Sequence, residues 1–223
     1  YQLSLSHLNR RNKMEILKMI IRFAFVSLMI VFSVSQARTQ DYNKTLGAFE
    51  KSYELEDAGE YTKAVEKLKA VYKEDSYEIN LRLGWLSYQL GNFIESAAYY
   101  QKAISLKPYS LEAKFGYVYP ASAMGNWGIV KTQYLKILDI DPMNSVANYR
   151  LGMIFYSAED YSTALKYFEK VVNQYPFDYD GTIMYAWTHY KLGKLREAEI
   201  LFKTALLMKP GDESATEGLN LLK

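Results

Sequence analysis

The sequence predicts an all-α protein built from a repeated helical hairpin. Four of its five prolines, Pro108, Pro142, Pro176 and Pro210, follow one another at a spacing of 34 residues. Between them, apolar residues recur at steps of three and four, which is the spacing of one face of an α-helix. A fixed period of about 20–50 residues is typical of solenoids, in which each unit buries its apolar face against the next.

Other residue types share the period of the prolines. Small residues at Gly84, Gly152 and Ala186 allow the two helices of a hairpin to approach closely. Two more columns are a turn position, Gly91, Gly125, Glu159 and Gly193, and a bulky position, Tyr100, Tyr134, Phe168 and Phe202. The bulky column fills the space beside the small one. Each unit therefore reads as a first helix, a glycine turn, a second helix and a terminating proline.

These columns resemble the tetratricopeptide repeat. The family's Leu-Gly, aromatic, turn-Gly, aromatic, small, bulky and Pro positions occur in order in LRLGWLSYQLGNFIESAAYYQKAISLKP and YRLGMIFYSAEDYSTALKYFEKVVNQYP. The resemblance covers 45–223 and implies a right-handed superhelical solenoid with a ligand-facing concave side. Its units are about 45–76, 77–110, 111–144, 145–178 and 179–212, followed by a cap at 213–223. The first unit is divergent: it lacks the proline and has Lys51-Ser52 in place of Leu-Gly.

The amino end has the pattern of a secretory signal. Residues 1–13 are interpreted as an upstream segment, 14–37 as the signal and 38–44 as a linker. The uncharged run FAFVSLMIVFSV follows basic residues and precedes Ser35-Gln36-Ala37, which suits cleavage after Ala37 and export to the periplasm or outside the cell. The alternative is an uncleaved membrane anchor over Ile16–Val34, with Lys18 and Arg22 extending to the membrane surface.

The carboxyl end is predicted to form a capping helix. Ser214-Ala215-Thr216-Glu217 matches a capping box after Pro210-Gly211. Leu219, Leu221 and Leu222 are then placed to cover the last helical pair.

One proline departs from the period. Pro120 falls inside the first helix of the third unit, where proline costs about 3 kcal/mol in an ordinary helix. Gly116, four residues earlier, removes crowding at the carbonyl that the proline ring approaches. Two interpretations remain open: a tolerated kink, or a bend that widens the groove locally.

The first helices carry a second apolar stripe, which the resemblance places on the concave surface. Its residues are Phe49, Tyr53, Leu81, Trp85, Tyr88, Phe115, Tyr119, Tyr149, Met153, Tyr156, Ile183, Trp187 and Tyr190. Large amphipathic rings are typical of recognition surfaces, so the stripe predicts a groove for an extended or helical apolar peptide. The alternative is that part of the stripe packs against neighbouring repeats. The Lys/Asn arrangement with which some proteins of this family hold a terminal carboxylate is not visible.

The composition offers little material for catalysis. Cysteine is absent, and His189 is the single histidine after residue 37, so thiol chemistry and paired-histidine metal sites are not expected. His189 is interpreted as a structural or surface residue. The sequence therefore predicts a non-catalytic adaptor or scaffold of the cell envelope, without metal or cofactor, whose partner is a protein or peptide and not a nucleic acid. The alternative is a membrane-tethered structural subunit whose groove is partly packed.

Overall fold

The computed structural model of the chain describes residue 19 and residues 39–223. The expected upstream segment and signal therefore lie outside the described residues, apart from residue 19. Within 39–223 the chain forms eleven helices and no strand, which confirms the all-α prediction. Two compact units are distinguished, with their boundary after Tyr72. No helix in the described ranges combines the length and the apolar character needed to cross a membrane.

The first unit contains one helical hairpin. The described part of helix α1 spans 39–57, so the residues assigned to a linker at 39–44 are helical. Helix α2 spans Tyr61–Lys69. Between them Gly59 adopts a φ of +73°, a conformation that glycine reaches without strain. Ser52 is fully buried, so a small residue still occupies the position at which Leu-Gly is missing.

The second unit contains four hairpins and a final helix. Their bounds are α3 Tyr77–Gln89, α4 Phe93–Leu106, α5 Leu111–Ala123, α6 Trp127–Ile140, α7 Ser145–Ser157, α8 Tyr161–Gln174, α9 Tyr179–Lys191, α10 Leu195–Met208 and α11 Glu213–Asn220. Consecutive helices contact each other throughout, and α3 also contacts α5 as α7 contacts α9. The first helices α3 and α5, and likewise α7 and α9, therefore lie side by side.

A polar cap begins each first helix of the second unit and also its final helix, and this column has the same 34-residue period. The capping side chains are Ser76, Ser110, Asn144, Asp178 and Asp212, and each accepts a hydrogen bond from the backbone N–H three residues later. Such caps satisfy helix donors that have no partner within the helix. The predicted capping box at Ser214 is therefore wrong: the cap lies two residues earlier, at Asp212, and α11 begins at Glu213.

Buried rings rest on helix glycines between neighbouring helices. Tyr100 lies against both Gly84 and Gly116, and the ring of Phe202 lies against Gly218. Gly116 therefore has a function besides the one inferred, because it also makes room for the Tyr100 ring of the preceding repeat. Helix α5 continues from Leu111 to Ala123 with Pro120 buried inside it.

Candidate partner-binding surface

The first helices place most of the predicted groove residues in half-buried positions. Tyr53 and Tyr119 are exposed, at 51% and 49% of their surface. Ile183 is only 7% exposed and belongs to the core around α9 and α10. The half-buried members are Phe49, Leu81, Trp85, Tyr88, Phe115, Tyr149, Met153, Tyr156, Trp187 and Tyr190. The stripe thus contributes to packing between helices and also presents ring surface to solvent.

Helices α3 and α5 bring three predicted residues into one aromatic cluster. The ring centroids of Tyr88 and Tyr119 are 5.4 Å apart, and that of Trp85 lies 6.0 Å from Tyr88 and 6.2 Å from Tyr119. Phe93, at the start of α4, adds a fourth ring 5.7 Å from Tyr88. Pairs at these separations contribute about 0.5–1.5 kcal/mol beyond the burial of their area. The cluster therefore holds the Tyr119 ring in a defined position while half of its surface stays exposed.

A cleft of about 750 Å³ lies beside this cluster, between α5, α6 and α7. It is lined by Phe115, Val118, Tyr119, Ser122, Trp127, Val130, Tyr134, Val146, Arg150, Met153, Ile154, Ser157 and Ala158. Three of these, Phe115, Tyr119 and Met153, belong to the predicted groove. Trp127 and Val146 were not predicted, although 61% and 51% of their surfaces are exposed. Tyr119 belongs to both the aromatic cluster and the cleft.

The predicted groove residues near the carboxyl end have closer partners within the protein. The indole N–H of Trp187 donates to the Ser214 hydroxyl at 2.8 Å, and its ring lies 4.9 Å from that of Phe202. Tyr190 packs edge-on against Trp187 at 5.6 Å. Ser214, predicted as a helix cap, therefore anchors Trp187 instead. Replacing Trp187 would disturb the junction of α9, α10 and α11 as well as any partner contact.

Two tyrosines of α7 are similarly engaged. Tyr149 packs edge-on against Phe168 at 5.9 Å, and Tyr156 against Tyr161 at 5.2 Å. Burial raises the pKa of both phenols above the ordinary tyrosine value, so both are neutral at physiological pH.

A column of buried polar side chains was not recognised from the sequence. Asn80 donates to the carbonyl of Ser76 at 2.7 Å, and Asn148 donates to the carbonyls of Pro142 and Asn144 at 3.1 and 2.9 Å. Lys114, at the equivalent position of α5, donates to the carbonyl of Pro108, and burial lowers its pKa. These side chains fasten the loops between repeats to the first helices. Their spacing of 34 residues is the sequence pattern that could have identified this column.

His189 is buried. It is 7% exposed, and its ring lies edge-on to Tyr185 at a centroid distance of 4.5 Å. Burial lowers the pKa of His189, and the positive charge of Lys194 lowers it further. Among the residues that the structure describes, no group of three or more acidic or histidine side chains is arranged to hold a metal ion.

Comparison with known proteins agrees with the helical hairpins and their period. Family models for the tetratricopeptide repeat match residues 49–110 and 155–219. The chain is built from tetratricopeptide repeats. Proteins with this fold generally act as scaffolds for protein–protein interaction and are typically non-catalytic. No curated protein matches the chain.

Solved structures share this tetratricopeptide fold. A tetratricopeptide repeat protein from Parabacteroides merdae is 22% identical, with a TM-score of 0.69 over 81% of this chain and 72% of that one. A MamA protein is 19% identical, with a TM-score of 0.65 over 74% and 92% of the two chains. MamA from Desulfovibrio magneticus is 15% identical, with a TM-score of 0.64 over 76% and 97%. Identities this low establish a common fold.

Proposed function

We propose that this protein is an exported, non-catalytic adaptor that binds an apolar or aromatic-containing peptide segment of another protein. The proposed binding surface is formed by the first helices of its repeats, around the aromatic cluster and the adjoining cleft. The observation that carries the proposal is the position of Tyr119, which is half exposed and belongs to both features. Ile183 is left out of this surface because it is buried.

The physical argument rests on rings that are held in place before the partner arrives. Trp85 and Tyr88 restrict the Tyr119 side chain through ring contacts, so little conformational entropy remains to be lost on binding. Rings also offer large contact areas, and tyrosine hydroxyls provide adaptable hydrogen bonds. An apolar surface that joins a cleft is typical of sites that recognise peptides.

Export is supported by the amino-terminal sequence. The basic residues, the apolar run at 23–34 and the small residues at Ser35 and Ala37 suit a cleaved signal. Sequencing the amino terminus of the protein from its host tests this part of the proposal. A start at Arg38 supports export with cleavage, whereas a start at Met14 in the membrane fraction supports the tethered alternative.

Binding is tested with two matched tyrosine substitutions. Tyr119 lies in the proposed surface, whereas Tyr109 is 82% exposed on the loop between α4 and α5 and lies outside it. The tagged full chain is used to isolate crosslinked partners from its host as wild type, Tyr119→Ser and Tyr109→Ser. We expect Tyr119→Ser to reduce capture of a partner several-fold and Tyr109→Ser to leave it unchanged. The helical circular dichroism of each variant is recorded as the control for folding.

Two outcomes count against the proposed surface. Equal capture by wild type and Tyr119→Ser would show that the partner binds elsewhere. A partner segment identified by mass spectrometry as polar throughout would show that the ring surface does not select apolar groups.

A further inference from the structure

The third repeat departs from its neighbours where its two helices meet. The position held by Gly84, Gly152 and Ala186 in other repeats is Val118 in α5. The facing position in the second helix, which is Ser96, Ala164 or Ala198 elsewhere, is Val130 in α6. In the second repeat these positions touch, because the Ser96 hydroxyl donates to the carbonyl of Gly84 at 2.7 Å. Two valines prevent so close an approach of α5 and α6.

The bulky ring of this repeat also lacks a glycine on either side. Tyr100 lies against Gly84 and Gly116, and the corresponding rings of later repeats, Phe168 and Phe202, each lie against one glycine. The equivalent neighbours of Tyr134 are Val118 in its own repeat and Arg150 in the next.

The cleft lies where these larger residues meet. Val118, Val130, Tyr134 and Arg150 all line it. The sequence of the third repeat therefore explains why α5, α6 and α7 leave an open space. Its volume, about 750 Å³, is within the range of about 300–1,000 Å³ typical of ligand sites.

Among the described residues, apolar side chains and one cationic side chain line most of the cleft. Arg150 is exposed and, among the residues that the structure describes, is the one charged side chain that lines the cleft. Its guanidinium lies 6.0 Å from the centre of the Tyr149 ring. Within residues 39–223, no acidic side chain forms an ion pair with Arg150. Asp178 and Asp180 line the neighbouring hollow that Arg150 shares, yet neither is joined to it in this way.

We propose that the cleft binds an internal segment of a partner protein in which a bulky apolar side chain stands next to an acidic one. The apolar side chain enters the cleft against Trp127, Val146 and Ile154, and the carboxylate pairs with Arg150 at the rim. This inference rests on the proposed function and specifies the chemistry of the peptide. Such a cleft selects partner segments that place a negative charge opposite Arg150 within an otherwise apolar contact.

An acidic side chain fits the cleft better than a terminal carboxylate. Capture of a chain terminus ordinarily uses several donors or a nest of backbone N–H groups. Most of the lining residues lie inside three helices, where backbone N–H groups are bonded within the helix, and among the described residues the cleft offers one guanidinium. A single carboxylate beside an apolar side chain matches that supply of donors.

The test uses a displayed library of random seven-residue peptides, flanked on both sides by Gly-Ser linkers so that no terminus is presented. The full chain is the bait, as wild type, Arg150→Gln and Arg196→Gln. Arg196 is an exposed arginine of α10 outside the cleft and serves as the matched control. Ser122→Phe, which places a ring inside the cleft, tests the apolar half of the site independently.

We expect the enriched peptides to contain an aspartate or glutamate no more than two positions away from a bulky apolar residue. Arg150→Gln should weaken their binding about fivefold, the effect of one partly exposed ion pair, while Arg196→Gln leaves it unchanged. Ser122→Phe should abolish their binding while circular dichroism shows the helices intact.

The contradicting results separate this inference from the proposed function. Enriched apolar peptides without an acidic residue, or with no response to Arg150→Gln, overturn the cleft assignment and leave the adaptor function standing. Failure to enrich any peptide counts against both. A dimer of the full chain that sedimentation shows to depend on Arg150 would instead identify a second copy as the occupant, and it also overturns the proposal.

Discussion

Alanine at Gly116 should destabilise the protein, although alanine is the better helix former. Gly116 lies inside α5, where this substitution ordinarily stabilises by about 1 kcal/mol. A Cβ at this position would lie 2.6 Å from Cζ and 2.7 Å from Cδ1 of Tyr100, and closer still to Cε1. The Tyr100 ring is 3% exposed and also rests on Gly84, so it has no free direction in which to move.

The two effects have opposite signs, and the steric one is larger. Forcing an extra carbon into a well-packed site costs about 1–3 kcal/mol, and an immobile buried ring places Gly116→Ala at the upper end. After the gain in helix propensity is subtracted, a net loss of about 1–2 kcal/mol remains. For a chain of this size the melting temperature should fall by about 3–6 °C.

Urea unfolding followed by far-ultraviolet circular dichroism measures this loss. Gly128→Ala is the control, because the nearest atom to its added Cβ is Asn126 Oδ1 at 3.7 Å, so its free energy of unfolding should stay equal or rise. Tyr100→Leu should cost about 1 kcal/mol less free energy of unfolding in the Gly116→Ala protein than in the wild type, because the two residues are in contact. A Gly116→Ala protein as stable as wild type would refute the account of rings seated on glycines.

Three further predictions concern other repeats. Glu159 has a φ of +61° at the turn where other repeats have glycine, so Glu159→Gly should raise the free energy of unfolding by about 1 kcal/mol in urea titrations. Asn148→Ala should lower it by about 2 kcal/mol in the same titrations, because it leaves two loop carbonyls without their side-chain donor. The pKa of His189 is lowered in the folded state, so its contribution to stability is complete above about pH 6.5 and is lost as the pH falls. His189→Gln should therefore flatten the dependence of melting temperature on pH between about pH 7 and pH 5.5.

Each of these has a distinct contradicting result. A lower stability of Glu159→Gly would mean that the side chain contributes more than its backbone conformation costs. Unchanged stability of Asn148→Ala would mean that water replaces the lost donor at the loop. A pH dependence that persists in His189→Gln would assign the effect to other groups.

The helical hairpins could be predicted from the sequence because local requirements set their bounds. A chain reversal needs a residue that tolerates positive φ, and Gly91, Gly125 and Gly193 all have φ between 69° and 76°. The caps were not recognised as a column because the residue type changes along it. Ser76 and Asp212 perform one function with different side chains, and only their shared ability to accept a hydrogen bond recurs.

Exposure of the aromatic stripe could not be predicted because it depends on residues distant in the sequence. Tyr119 and Trp187 occupy similar positions on their helices, yet only Tyr119 is exposed. Trp187 is held by Ser214, which follows it by 27 residues and belongs to the next helical layer. Spacing along one helix identifies a face, but the neighbours of that face decide how much of it solvent reaches.

The sequence contains a pattern that could have predicted the cleft. Val118 and Val130 each replace a small residue found at the same position of other repeats, and Arg150 shares its column with Arg82, Gly116 and Met184. Individually they look like ordinary variation in a column. Their combined effect becomes clear only when the three-dimensional structure places all of them, together with Tyr134, around one cleft.

Site-specific photocrosslinking in the host tests the central claim most directly. A photoreactive phenylalanine analogue is placed at position 119 in one protein and at position 109 in another, and crosslinked peptides are identified by mass spectrometry. The adaptor account predicts that position 119 crosslinks to an apolar or aromatic-containing segment of another protein, with a yield several times that from position 109. Equal yields from the two positions, or no crosslinked protein from position 119, would contradict it.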